Sequence, residues 1–434
     1  MSTVTSPYLQ GNFAPVTDEV THLDLPVTGT LPAELAGRLL RIGPNPLTPP
    51  DPATYHWFVG DGMVHGLRLR DGRAAWYRNR WVRGDEVANT HVIGVGGRTF
   101  ALVEAGNPPV ELTDELETVG TCRFDDTLDG SFSAHTHEDP DTGLLHAVTY
   151  HWSWDHVRHV VVGPDAHVRR EVQVPVPDGP SVHDCAITER FVVIFDLPVT
   201  FSMDAVSAGA RFPYRWDPAH PPRVGLLPLD GAAEDVRWFD APSCYVFHTL
   251  NAFDDVDAGG TEGHDRVVVD VVRHPKMFAT VTNGPDEGDP VLERWTLDLA
   301  SGGLTTDVLD DHPQEFPRID ERRTGRPHRY GYGATLAPGA HHGPALKHDL
   351  VAGTTTVHDY GTGRVTLEPV FVPRPDATAE DDGWVLSYVY DATTDRTDVV
   401  VLDARDFGGD PVATVHLPVR VPFGFHGSWV PDGG

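Results

Sequence analysis

Residues 181–198 read SVHDCAITERFVVIFDLP. The run FVVIF is short, apolar and rich in β-branched and aromatic residues, and Asp-Leu-Pro closes it. That combination marks a strand rather than a helix. A histidine, His183, stands just ahead of it. Similar runs recur in GRTFALVEAG (97–106), GLLHAVTYHW (143–152), HDRVVVDVVRH (264–274), DGWVLSYVYDA (382–392) and TDVVVLDA (397–404). Turn clusters separate them, among them RLRDG (68–72), EDPDTG (138–143) and DLASGG (298–303). Helical candidates are few: ELTDELETV (111–119) is short and charged, and PAELAG (32–37) is little more than a turn.

The chain is therefore expected to be all-β. Its 43 glycines and 38 prolines are spread throughout, a punctuation that long helices do not tolerate. No fixed-period signature of a WD40 or kelch array appears. A sheet protein of 434 residues must still dispose of its edges, and radial repetition is one way to do so. Seven blades would take about 62 residues each, room for four strands and loops. The favoured architecture is one seven-bladed β-propeller over residues 1–434, with loops and short helices capping its axis. A large sandwich or two barrels are the alternatives.

The formal net charge is −31, from 64 acidic and 33 basic residues. Such a balance argues against a nucleic-acid partner and against adhesion to anionic lipid, leaving at most peripheral membrane contact. The three cysteines, Cys122, Cys185 and Cys244, are too few and scattered for a disulfide framework. They fit a reducing, cytoplasmic setting. The start MSTVTSPYLQGNFAPV lacks the basic and apolar regions of a signal peptide. Oligomeric state is not legible.

Four of the 24 histidines stand in unusual surroundings. His135 lies in FSAHTHEDP, His183 in PSVHDCAIT, His248 in CYVFHTLNAFDD and His426 in VPFGFHGSWVP. All four have apolar or glycine neighbours, where an uncompensated imidazole is costly. Their separations of 48, 65 and 178 residues suit neither a zinc finger nor an HExxH helix. Blades that each sent one ring to a shared axis would give such spacing. Four imidazoles without a thiolate suit iron, copper, zinc or nickel. Read alone, each is as well explained as a satisfied core histidine.

The segments around these histidines resemble the carotenoid cleavage oxygenase family, which includes stilbene-cleaving enzymes. The similarity runs nearly end to end and in family order. It begins with GRLLRIGPNP (37–46) and YHWFVGDGMVHGLRLRDGRAAWYRNRWVRG (55–84). It continues through ALVEAGNPPVEL, SAHTHEDPDTG, VHDCAITERFVVIFDLPV and FHTLNAFDD. EFPRID, GYGAT, EPVFVPRPDATAEDDGWVLS and FHGSWVP complete it. The resemblance implies a seven-bladed propeller with Fe(2+) held by His135, His183, His248 and His426. It also implies three glutamates that accept hydrogen bonds from the ligand rings: Glu104, Glu315 and Glu368. Such acceptors fix ring orientation and raise ligand basicity. His137 is expected to be a non-ligand, and His56 and His65 structural. Asp61 and Gly62 read as turn chemistry. Asn251, Asp184 and Glu380-Asp381-Asp382 read as loop braces.

The implied activity is oxidative cleavage of a C=C bond by O2, yielding two carbonyl products from a lipophilic, conjugated substrate. Four ligands on an octahedral metal leave two positions open for that chemistry. Val103, Phe247, Phe371, Phe425, Tyr150 and Trp152 are the candidates for lining a substrate tunnel. Stilbene-cleaving relatives that act on phenols place a lysine just before the first glutamate. Here that position is Val103, which shifts the expectation toward a carotenoid or apocarotenoid. Stilbene or phenylpropenoid cleavage is the alternative. Isomerisation on the same fold and a non-catalytic propeller that binds a hydrophobic ligand are the further ones.

Overall fold

The computed structural model describes residues 6–84, 87–256, 265–337 and 341–432. The starting MSTVT, His264 of the run 264–274 and the final Gly433–Gly434 lie outside those residues.

Seven antiparallel sheets follow one another along the chain. Five are four-stranded meanders, counting the fourth sheet without its inserted hairpin, Val199–Phe201 with Tyr214–Trp216. The other two are closed by strands from both ends of the chain. In the first sheet Gly427–Pro431 pairs with Gly37–Pro44, next to Gly62–Arg70, Arg73–Trp81 and Thr21–Leu23. In the seventh, Val27–Gly29 pairs with Ala413–His416. Each chain end thus extends the sheet built mostly by the other, so the ring is fastened twice and its seam presents no long free edge. The innermost strands of neighbouring sheets touch: Gly427–Pro431 meets His91–Val95, and Cys185–Ile187 meets Tyr245–Val256. The arrangement is a seven-bladed β-propeller.

The local sequence explains the blades. FVVIFD is buried along almost its whole length, because a blade is covered on both faces by its neighbours. Such a strand reads as a continuous apolar run rather than an alternating one. Val193 and Ile194 of that strand share one core with Val148 and Val157 of the preceding blade and Val267 and Val269 of the following one.

The candidate helix ELTDELETV is not helical. Its ends belong to the strands Val110–Leu112 and Thr118–Thr121, and Leu116 turns the chain at φ +69°. Pairing of Val110–Leu112 with Thr99–Ala101 supplies backbone partners that a nine-residue isolated helix cannot match. A short helix forms instead at Met203–Ser207, capped by the Ser202 hydroxyl, which accepts from the Ala205 N–H at 3.2 Å. Gly62 is not a turn residue either. It opens the strand Gly62–Arg70, and a Cβ there would stand 1.8 Å from the Ala88 carbonyl oxygen. Close backbone approach, not turn geometry, requires glycine at that point.

Among the described residues no helix is long and apolar enough to cross a membrane. The three cysteines are buried and unpaired.

Candidate metal centre

The four histidines converge on the propeller axis. Ring centroids lie 4.4 Å apart for His135 and His183, 4.8 Å for His135 and His426, and 4.6 Å for His248 and His426. His135 and His248 are 5.1 Å apart, and His183 and His248 5.2 Å. His135, His183 and His426 each sit immediately before or within two residues of an innermost strand: Thr136–Glu138, Cys185–Ile187 and Gly427–Pro431. His248 lies inside Tyr245–Val256, within a register slip between Val246 and Thr249 that a second slip follows between Thr249 and Asn251. Those irregularities bend the strand and re-aim the side chain toward the axis.

The three glutamates complete the set. Glu104 belongs to the second blade, Glu315 to the sixth and Glu368 to the seventh, while the histidines come from the first, third, fourth and fifth. Each blade therefore contributes one residue. His183 Nδ1 lies 2.9 Å from Glu104, His248 Nδ1 2.5 Å from Glu315 and His426 Nδ1 2.9 Å from Glu368. With Nδ1–H donated to a carboxylate, Nε2 keeps its lone pair for a metal. His135 differs, since its Nε2 lies 3.2 Å from Glu104.

The carboxylates have different neighbours. Glu104 also accepts from the Tyr150 hydroxyl at 3.1 Å, and Glu315 from His274 Nε2 at 2.6 Å and from the Phe316 N–H at 2.7 Å. Glu368 accepts from the Gly427 N–H at 2.8 Å and faces Arg318 at 3.4 Å. Burial alone would raise Glu104 and Glu315. The imidazoles facing them outweigh it and hold both carboxyls below the usual range. Burial and neighbouring rings lower His183 to about 4 and His426 well below its ordinary value, which favours the neutral, ligating form.

Strained backbone accompanies two of the glutamates. Ala105 adopts φ +55° and Phe316 φ +58°, values that non-glycine residues rarely take. The Phe316 ring lies against His248 at 5.7 Å, and its N–H is held by Glu315. At Gly427 a Cβ would stand 2.0 Å from the Leu40 carbonyl oxygen, so only glycine lets the strand after His426 seat this closely.

The donor set fits a metal ion. The ligand atoms of His135, His248 and His426 lie within 4.8 Å of one another, as do those of Glu104, His135 and His183. His248 Nε2 is buried without a hydrogen-bond partner. Leaving such an atom unmatched costs about 1–3 kcal/mol, which coordination would offset.

Two cavities reach the cluster. An apolar one of about 660 Å³ meets His183, His248 and His426, and a polar one of about 690 Å³ meets His135, His248 and His426. Of the six residues named for a substrate tunnel, Val103, Phe247, Phe425, Tyr150 and Trp152 line the apolar cavity. Phe371 does not. It stacks on Tyr332 at 5.5 Å in the core of the sixth and seventh blades, because its face of the strand Val370–Pro373 points between blades. Trp57, Phe58, Phe212, Phe316 and His274 also line the apolar cavity and were not read from sequence. Trp57 and Phe58 adjoin GDGM, the one available signal. His56 is buried against Phe212 at 4.6 Å, and His65 pairs with the Tyr77 hydroxyl at 2.9 Å. Asn251 braces the loop 323–326, and Glu380 accepts the Arg329 and Tyr330 N–H groups.

Fold and site together define a class: a seven-bladed propeller that gathers four histidines and three glutamates, one from each blade, on its axis. The chain belongs to the carotenoid cleavage oxygenase family, matching the profile described as RPE65, retinal pigment epithelial membrane protein, over residues 13–87 and 83–431. It is 44% identical to a carotenoid cleavage oxygenase of Mycobacterium tuberculosis, over 98% of each chain. The lignostilbene dioxygenase of Pseudomonas brassicacearum superposes with a TM-score of 0.90 at 28% identity, covering 100% of both chains. Cobalt-substituted Synechocystis ACO superposes with a TM-score of 0.87 at 26% identity, covering 99% of this chain and 100% of its own.

Proposed function

We propose that this chain is an Fe(II)-dependent dioxygenase that cleaves a C=C bond of a carotenoid or apocarotenoid to two carbonyl products. One observation carries the reading: four imidazoles converge beside an apolar cavity, three of them oriented through Nδ1 by glutamates that are buried (Glu315, Glu368) or largely so (Glu104). Iron bound by these rings would supply the oxidising chemistry that adds O2 across the double bond. The chain's residues do the rest. Glu104, Glu315 and Glu368 hold the rings in place and balance the ion's charge. Phe247 stands edge-on to His183 at 4.8 Å, and Trp57 lies 4.9 Å from Phe425. These rings offer flat apolar contact to a polyene and keep water from the reacting bond.

Two cavity residues favour an apocarotenoid. Val103 offers no charge to a phenol. Arg211 is the one lysine or arginine among the described lining residues, and no described acid lies within ion-pair distance of it. Its guanidinium can donate to an aldehyde oxygen at the outer end of a polyene. The likeness to lignostilbene dioxygenase keeps stilbene cleavage as the second reading.

Iron-loaded protein incubated under ¹⁸O₂ with apocarotenals and, in parallel, resveratrol-type stilbenes is the test. Labelled aldehydes from the apocarotenal are expected in excess. Cleavage of the stilbene alone would reverse the substrate order, and unlabelled isomers would overturn the dioxygenase reading.

A further inference from the structure

On the polar side of the histidine cluster lies a carboxylate that the glutamate set does not include. Asp184 follows His183, and its side chain is only 4% exposed. It accepts four hydrogen bonds. The Cys185 N–H donates at 2.7 Å, the Thr249 N–H at 2.8 Å, the Thr249 hydroxyl at 2.9 Å and His137 Nε2 at 2.9 Å. His137 is two residues from His135, Cys185 two from His183, and Thr249 next to His248. One carboxylate thus ties together the three strands that carry three of the four candidate ligands, from three different blades.

We propose that Asp184 is a positioning residue of the metal centre, setting the spacing of the His135, His183 and His248 strands, with His137 as its partner from the third blade. The inference rests on the metal-centre reading above. The division of labour is physical. Glu104, Glu315 and Glu368 act on rings through their N–H groups, whereas Asp184 acts mainly on backbone and on groups next to the ligands. Blades touch chiefly through side chains, so nothing in the sheet ladders themselves sets the distance between ligands on adjacent blades. A metal site demands placement to about 0.5 Å. A buried carboxylate with four donors resists displacement, because losing any donor leaves charge uncompensated. In Asp184→Asn the carboxamide N–H₂ must face at least one of the existing donors, pushing one strand away.

The experiment uses the full chain stripped of metal and titrated with Co(II), reading affinity by chelator competition and geometry by the cobalt ligand-field spectrum. Wild type is expected to bind. Asp184→Asn is expected to lose about 10–100-fold in affinity, the range for groups that orient ligands, and to show a shifted spectrum. Thr249→Val removes one donor and spares the fold, and its spectrum should shift in the same direction with a smaller loss. His137→Gln keeps an N–H donor toward Asp184 and should restore affinity relative to His137→Phe. Asp398→Asn, at a half-buried carboxylate paired with Arg364 in the seventh blade, serves as the control for general destabilisation, with unchanged cobalt affinity and spectrum expected. A wild type that binds no cobalt would overturn the metal-centre reading and this inference with it. A wild type that binds, with Asp184→Asn and Thr249→Val matching it in affinity and spectrum, would overturn the inference alone.

Discussion

The two cavities that meet at the histidine cluster are similar in volume, about 660 and 690 Å³, and opposite in character. Aromatic rings, proline and Val103 line one, with Arg211 as its sole lysine or arginine among the described lining residues. The other holds Arg38, Arg68, Arg98, Arg318, Asp184 and Glu321. His248 and His426 border both. The apolar side offers aromatic contact beside the histidines, while the polar side holds the hydrogen bonds that Asp184 accepts from Cys185, Thr249 and His137. On the proposed reading the apolar face contacts substrate and the polar face positions the metal centre.

That contrast can be broken at the histidine cluster itself. His183→Ala removes one of the candidate ligands. Metal content and turnover are expected to fall by more than the roughly 100-fold that loss of an orienting group costs, measured by iron analysis and product yield. Retention of stoichiometric iron would end the four-histidine reading.

The next effect separates cavity wall from blade core. Phe371→Ala should lower stability by about 3–5 kcal/mol in denaturant unfolding, the cost of emptying a packed aromatic site. KM for the substrate should not change, because Phe371 lies between blades. A raised KM with unaltered stability would return Phe371 to the tunnel.

Glu315→Gln tests whether the glutamates orient rings. The carboxamide keeps one acceptor for His248 and His274 and turns a donor toward the other. A loss of about 10–100-fold in iron affinity is expected, read by anaerobic chelator competition, with the fold intact by circular dichroism.

The smallest change falls at the cavity mouth. Arg211→Gln should raise KM for an apocarotenal about fivefold at most, since exposed charged contacts contribute no more than about 1 kcal/mol. KM for a hydrocarbon carotene should stay the same. Equal effects on both substrates would remove Arg211 from end-group recognition.

Much of this was legible in the chain. Apolar runs such as FVVIFD marked blade strands because burial on both faces leaves no polar alternation to confuse them. The histidines stood out by their apolar surroundings, and the ordered resemblance supplied the glutamates. Other features were not legible. ELTDELETV mimics a short helix, but its fate depends on a partner strand, Thr99–Ala101, across a hairpin upstream. Phe371 and Phe425 look equivalent as aromatic residues near site motifs, yet one faces a neighbouring blade and the other the cavity. Asp184 read as a loop brace. Its bonds to Thr249, 65 residues on, and to His137, 47 residues back, exist only after three blades are assembled.

The sequence by itself determined the strand content, the candidate ligand types and their order, since these follow from side-chain chemistry and local pattern. Tertiary structure alone decided the rest. It placed one residue from each of seven blades on a single axis, held Ala105 and Phe316 in left-handed backbone beside the glutamates and set a polar cavity against an apolar one. Those features arise from contacts between segments far apart in the chain. Ring closure brings such segments together, and no local window contains both partners.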